Sequence, residues 1–261
     1  MKLAKKSLGQ NFLIDKNIIK KIINFTKIKN RNVVEIGPGE GALTNEILQR
    51  NPKSLFLIEK DFELAKQLQL KYSKNKKIKV FNTDILKFNL EKIIKKNSAV
   101  FGNLPYNISS QILVKVIKFN KWLPKFNDVI FMFQKELGEK IIGKFQSPNY
   151  GRLSILSSYR LNITNKFLVS PNCFFPKPKV MSMVIHFQPK KEMRFVINKI
   201  NNLEKITNII FSNKRKMINK NIKKILNNDE IKMIPNFKLN LRPSEIKPEI
   251  YYKITELFEN R

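Results

Sequence analysis

One cysteine and one histidine in 261 residues remove whole classes of chemistry. A single cysteine, Cys173, excludes internal disulfides and any cysteine-cluster metal site. A single histidine, His186, excludes the usual zinc ligand sets. Both are read as packing residues, and no metal is expected. Long apolar runs are also missing: nothing approaches the roughly 20 apolar residues of a membrane-spanning helix. The start, Met1-Lys2-Leu3-Ala4-Lys5-Lys6, has no apolar stretch of the kind that opens a secretory leader. A cytoplasmic protein without a membrane partner is the expectation. Acidic residues are scarce, 20 against 51 Lys plus Arg, which leaves a formal charge of +31. That balance suits a polyanionic partner. The excess is nearly all lysine, however, and Asn, Ile and Phe are abundant with it, the set that AT-rich codons encode. Only about half of the charge is therefore weighed as recognition.

What is present suffices for one large domain and a small appendage, since 42% of the residues are hydrophobic. Asp15 is placed to cap an amphipathic helix through Ile18, Ile19, Ile22 and Ile23. Asn32 to Ile36 reads as a buried strand running into Gly37-Pro38-Gly39-Glu40-Gly41-Ala42-Leu43-Thr44 and then a helix. Glycines there let the backbone approach a ligand, and the helix start offers free N–H groups. Gly37-x-Gly39-x-x-Ala42 also fits the dinucleotide fingerprint, so a nicotinamide enzyme competes at this point. A second strand, Ser54 to Ile58, ends at Glu59, about 20 residues beyond the glycines, where an acid holds ribose hydroxyls in open α/β sheets. A third, Ile78 to Asn82, leads to Asp84, a carboxylate able to accept from an adenine amino group. No basic residue suited to a phosphate follows Glu59 apart from Lys60.

The fourth strand, Ser98 to Gly102, delivers Asn103-Leu104-Pro105-Tyr106 at its carboxyl end. Pro105 fixes its own φ and holds Leu104 extended, so the Asn103 side-chain oxygen and a nearby carbonyl form two rigid acceptors. Two acceptors suit an amino group. An adenine N6 is a poor nucleophile because its lone pair is delocalised into the ring, and acceptors on both hydrogens favour a pyramidal nitrogen with that pair free. Tyr106 can stack on the base. Taken alone, the tetrapeptide is ordinary turn chemistry; its neighbours give it meaning.

Gln10-Asn11-Phe12-Leu13, Glu35 to Thr44, Glu59, Asp84 and Asn103-Leu104-Pro105-Tyr106 resemble, in order and spacing, the S-adenosylmethionine-dependent rRNA adenine N6,N6-dimethyltransferases. Downstream the resemblance takes in Gln134-Lys135-Glu136, Tyr150-Gly151-Arg152-Leu153-Ser154, Phe174-Phe175-Pro176-Lys177-Pro178-Lys179-Val180 and Leu241-Arg242-Pro243, so it runs almost end to end. It implies that Asn11 and Leu13 flank the cofactor, that Gly37 and Gly39 lie against it, that Glu59 holds its ribose and that Asp84 reads its adenine. Asn103 would face both cofactor and target amine. Phe174 matches the aromatic that closes on the other face of a flipped base, opposite Tyr106. Leu13, Pro38, Gln134-Lys135-Glu136 and Tyr150 to Ser154 resemble the branch acting on small-subunit rRNA rather than the resistance enzymes acting on large-subunit rRNA. The expected substrate is a pair of adjacent adenosines in the 3'-terminal hairpin loop, within an assembling small subunit, modified by a monomer.

Strands are expected at Asn162 to Val169 and Val180 to Phe187. At Gln188-Pro189-Lys190-Lys191 the pattern changes to helical runs, so an α/β Rossmann-like methyltransferase domain is expected over 1–188 and an all-helical RNA-contacting domain over 189–261. One helix from Ile206 to Leu226 would bury Ile206, Ile210, Ile218, Ile222 and Ile225 and carry a basic face with Lys214, Arg215 and Lys216. A solvated lysine-rich surface is the plain alternative for that face. A non-catalytic assembly or transcription factor on the same fold is the alternative for the whole chain.

Overall fold

The computed structural model describes residues 9–261; the start at Met1 to Lys6, read above for a leader, lies outside the described residues. Contacts divide the chain into two compact units. One takes the chain through Gly138 together with Ile163–Pro189, the other Glu139–Asn162 and Lys190–Arg261.

The first unit begins with a two-residue strand, β1 (Phe12–Leu13). Asp15 then caps α1 (Lys16–Ile23), accepting from the Asn17 and Ile18 N–H groups at 2.8 and 3.0 Å. Ile19, Ile22 and Ile23 are buried at helical spacing, each such side chain stabilising the fold by about 1.5 to 3 kcal/mol relative to exposure. The chain continues through β2 (Asn32–Ile36), α2 (Ala42–Gln49), β3 (Ser54–Glu59), α3 (Phe62–Lys71), β4 (Ile78–Asn82), α4 (Leu90–Ile93), β5 (Ser98–Asn103), α5 (Ser109–Ile117) and β6 (Phe126–Gln134). This alternation of buried apolar runs with helical segments is what a parallel sheet with crossovers requires. Next come α6 (Lys135–Ile142), α7 (Arg152–Arg160), β7 (Leu161–Val169), β8 (Phe174–Phe175) and β9 (Ser182–Pro189).

The main sheet has the order β4-β3-β2-β5-β6-β9-β7. Strands β2 to β6 pair in parallel and β9 runs antiparallel to β6. The order reverses at β2, with β3 on one side and β5 on the other, which makes the carboxyl ends of these strands the crevice where such sheets take ligands. Val33, Leu55, Leu57, Ala99, Phe101 and Ile130 form the sheet side of a core that Leu43, Ile47 and Leu68 close from the helices. The short ribbon β1–β8 pairs Phe12 with Phe175 and Leu13 with Phe174, and the Cys173 carbonyl accepts from Ile14 N–H at 2.9 Å.

The second unit comprises α7 and four further helices, α8 (Ile200–Phe211), α9 (Asn219–Ile222), α10 (Asn228–Lys232) and α11 (Pro248–Glu259). Buried tyrosines tie it together: Tyr251 donates to the Pro243 carbonyl at 2.7 Å, Tyr252 to Ile155 at 3.0 Å and Tyr150 to Ile246 at 2.8 Å. The junction at Pro189 adjoins the boundary read at 188, but Glu139–Asn162 groups with the C-terminal residues. The physical reason is that α7 buries Ile155, Leu156 and Tyr159, and Tyr159 packs against Tyr252 with ring centroids 5.0 Å apart.

The single helix expected over 206–226 is two helices separated by a turn. Ile206, Ile210, Ile218, Ile222 and Ile225 are all buried, but α8 stops at Phe211 and α9 starts at Asn219. Ser212 Oγ donates back to the Ile209 carbonyl at 2.9 Å, the local competition by which serine ends helices. Lys214, Arg215 and Lys216 therefore lie in an exposed turn, not on a helix. Among the described residues no helix is long and apolar enough to cross a membrane.

Candidate active site

The carboxyl ends of β2, β3 and β5 and the loop after β4 open on one cavity, lined among others by Asn11, Leu13, Gly37, Gly39, Glu59, Asp84, Asn103 and Tyr106. Parallel pairing brings these ends together, Ile36 lying beside both Ile58 and Gly102, and Glu59 beside Asn82.

The glycine loop is tied to β3. Gly37, at φ +67°, donates its N–H to the Ile58 carbonyl at 2.9 Å. Gly39, at φ +57°, donates to Glu59 Oε2 at 3.2 Å. A Cβ at residue 39 would stand 2.9 Å from the Phe12 ring, so only glycine lets the loop pass beneath that aromatic. Glu59 Oε1 also accepts from Asp61 N–H at 2.9 Å. Burial pushes the Glu59 carboxyl up, these backbone donors pull it part of the way back, and the net direction is upward. Asp84 differs: its bonds to Lys60 Nζ at 2.9 Å and to Leu86 N–H at 2.9 Å hold its carboxyl below the usual range.

Asn103 is fixed by the N-terminal segment. Its Nδ2 donates to the Asn11 carbonyl at 2.9 Å, which assigns the amide orientation and leaves Oδ1 as the acceptor. Tyr106 is half-buried, with its hydroxyl 2.7 Å from Ser182 Oγ.

The donor and acceptor set fits S-adenosylmethionine. Glu35, Glu40, Glu59 and Asp84 face the cavity, and among the described residues Lys60 is the only basic one in its lining, a balance suited to a cationic nucleoside. Because Lys60 is paired with Asp84, it is poorly placed to serve a ribose phosphate of the kind some nicotinamide cofactors carry.

A family model described as ribosomal RNA adenine dimethylase matches residues 1–259. The chain belongs to that family. As a ribosomal RNA adenine dimethylase it is an enzyme, and it uses S-adenosylmethionine. The ribosomal RNA small subunit methyltransferase A of Pelagibacter ubique is 45% identical, covering 98% of this chain and 97% of that protein. The protein of the same name from Mycoplasma mobile is 38% identical, covering 95% of each chain. Among solved structures, a dimethyladenosine transferase from Plasmodium falciparum superposes with a TM-score of 0.75 at 24% identity, covering 95% of this chain and 98% of that one. The 23S rRNA methyltransferase ErmE gives 0.68 at 22%, covering 95% and 99%. These two structures share the dimethylase's fold, the Rossmann-like methyltransferase sheet.

Two groups of expected residues lie elsewhere. Phe174 is 3% exposed and packs in the core that includes Leu13 and Cys173; it is not part of the cavity lining. Its neighbour Phe175 is 46% exposed. Lys214, Arg215 and Lys216 are in the second unit. One cavity residue stands out only in the fold: Glu35, 1% exposed, accepts from Thr44 Oγ1 at 2.6 Å. Burial, partly offset by that bond and reinforced by Glu59, pushes its carboxyl up to about 7. The signal for it was a charged residue inside an otherwise apolar strand, Asn32-Val33-Val34-Glu35-Ile36.

Proposed function

We propose that this dimethylase transfers four methyl groups to N6 of two adjacent adenosines in the 3'-terminal hairpin loop of small-subunit rRNA, acting as a monomer on an assembling small subunit. The observation that carries the chemistry is the Asn103 amide, oriented by the Asn11 carbonyl so that its oxygen is free at the cavity. The relatives' names, which specify the small subunit, support the branch.

Bound S-adenosylmethionine supplies an electrophilic methyl group on a sulfonium. Glu59 would hold its ribose hydroxyls and Asp84 its adenine amino group, with Asn11, Leu13, Gly37 and Gly39 against it. In the first transfer to each adenosine Asn103 Oδ1 and a neighbouring carbonyl accept the two hydrogens of N6, and in the second one of them accepts the hydrogen that remains, which favours the pyramidal nitrogen of the transition state over the planar one of the ground state. Tyr106 stacks on the flipped base. Phe174, buried in the β1–β8 ribbon beside Leu13, would have to turn out of that packing to close on the second face of the base. The product ammonium is acidic enough to lose its proton to water, so no side-chain base is invoked. Lys214, Arg215 and Lys216 contact RNA phosphates from their exposed turn.

The test is mass spectrometry of the rRNA, including the 3'-terminal fragment of the small-subunit rRNA, after small and large ribosomal particles lacking the modification are each incubated with the protein and S-adenosylmethionine. Dimethyladenosine at two adjacent positions is expected. Methylation of large-subunit rRNA instead, or none on either, would overturn the reading.

A further inference from the structure

Ser182 opens β9, fully buried and in register with Gln134 of β6. Its hydroxyl meets that of Tyr106 at 2.7 Å across 76 residues of sequence. Both ends of this contact are anchored. On the Tyr106 side, Ile108 N–H donates to the Pro105 carbonyl at 3.2 Å and the buried Ser109 hydroxyl to the Tyr106 carbonyl at 3.2 Å. On the other side, Lys135 N–H donates to the Met181 carbonyl at 2.9 Å, immediately before Ser182 enters the sheet. Tyr106 lines the cavity and Ser182 does not.

A tyrosine ring turns about two side-chain torsions, so a fixed backbone alone leaves its plane free to swing. Holding the hydroxyl as well fixes the plane. The simpler account is that a buried serine needs a partner and finds one; that account gives no reason for a rate effect confined to methyl transfer.

We propose that Ser182 is a positioning residue for methyl transfer, setting the plane of the Tyr106 ring against which the target adenine stacks. This rests on the reading that Tyr106 stacks on the base. Ser182 acts through Tyr106 alone, so removing either hydroxyl has the same consequence, and removing both adds nothing. Glu59, at the end of β3, and Asp84, in the loop after β4, take no part in this contact.

The test is a double-mutant cycle. Ser182→Ala, Tyr106→Phe and the double variant are compared for single-turnover dimethyladenosine formation on small ribosomal particles at saturating cofactor, with S-adenosylhomocysteine affinity measured by calorimetry. Each single change is expected to slow methyl transfer about 3- to 10-fold, the worth of one uncharged hydrogen bond. The double variant should be no slower than the slower single one. S-adenosylhomocysteine affinity should be unchanged, and Ser182→Thr, which keeps a hydroxyl, should recover most of the rate. Losses that multiply in the double variant would overturn the proposal, as would a wild-type rate in Ser182→Ala. If Ser182→Ala does not fold, Tyr106→Phe still decides, because a wild-type rate there means the hydroxyl contact positions nothing. Failure of the unmodified protein to methylate the particles sinks the proposed function instead, so the two failures are distinguishable.

Discussion

The two ends of the parallel strands each bury carboxylates, and they treat them in opposite ways. At the starting ends, Asp128 of β6 accepts from Arg31 Nη1 at 2.7 Å, Thr26 Oγ1 at 2.8 Å, His186 Nε2 at 2.7 Å and Gln188 Nε2 at 3.0 Å. Burial pushes its carboxyl up, and the bonds from His186, Gln188, Arg31 and Thr26 more than reverse that, holding it well below the usual range. At the finishing ends, Glu35 has one hydroxyl donor and Glu59 only backbone donors, and both carboxyls are pushed up. An acid whose charge is already matched is structural; acids left short of donors beside a cavity are poised for a ligand that supplies them.

The largest effect that would sharpen this contrast is on stability. Asp128→Ala strands Arg31 and should cost about 3 to 5 kcal/mol, measured by urea unfolding, while methyl transfer by the folded fraction is retained. Asn103→Ala should do the reverse. Loss of a donor or acceptor aimed at developing charge slows catalysis about 100- to 1000-fold, while unfolding free energy should fall by no more than the roughly 1.5 kcal/mol of one hydrogen bond. A destabilised Asn103→Ala or an inactive folded Asp128→Ala would break the comparison. Smaller is the cofactor effect: Glu59→Ala and Asp84→Ala should each weaken S-adenosylmethionine binding by about 1.5 to 3 kcal/mol, the worth of a hydrogen bond to a charged group. Unchanged calorimetric affinity in both would remove these acids from the site.

The pH dependence separates the two ends by sign. Glu35 moves from 4.5 to about 7 on folding, so within that window the folded state keeps a proton that the unfolded chain has lost. Stability of the ligand-free protein should therefore fall as pH rises through the window and level off above it. Glu35→Gln should flatten that slope. Asp128 moves the other way, so its contribution is present above its unfolded value of 3.8 and lost as pH falls below it. Thermal unfolding across roughly pH 3 to 8, a range that spans the Glu35 window and enters that of Asp128 from above, checks each sign, and a slope unchanged in Glu35→Gln would refute the first.

The smallest effect concerns RNA. Changing Lys214, Arg215 and Lys216 to Gln should reduce the slope of log affinity against log salt by about 0.7 to 0.9 for each phosphate that is no longer neutralised. The same change at Lys74, Lys76 and Lys77 should leave the slope alone; that cluster follows α3 in a surface turn, where Lys77 Nζ is bonded to Asn51 Oδ1 at 2.7 Å. Equal reductions in salt titrations would mean that charge acts collectively.

Much of the cavity was legible because each strand that feeds it is a short apolar run ending in a residue of distinct chemistry: Gly37, Glu59, Asp84, Asn103. The β1–β8 ribbon was not, since two residues per strand are too few to show a period of two. The motif around Phe174 implies a ring that faces the base, yet its burial goes with the register to Leu13, a pairing that local sequence does not encode. His186 was read as packing; it does stack on Phe25, with centroids 5.7 Å apart, but its bond to Asp128 joins residues 58 apart. The isoleucine spacing across 206–226 was right as a burial pattern and misleading as one helix. A turn can carry the same buried set when it restarts the helix in phase.

The bond from Asn103 to the Asn11 carbonyl joins residues 92 apart, and Asp15 meets Cys173 across 158. Closing loops of that length is entropically costly, and contacts of such sequence separation form slowly in folding. The amide that faces the cavity is thus oriented by one of the fold's long-range contacts, and the segment that orients it is held in turn by a longer one.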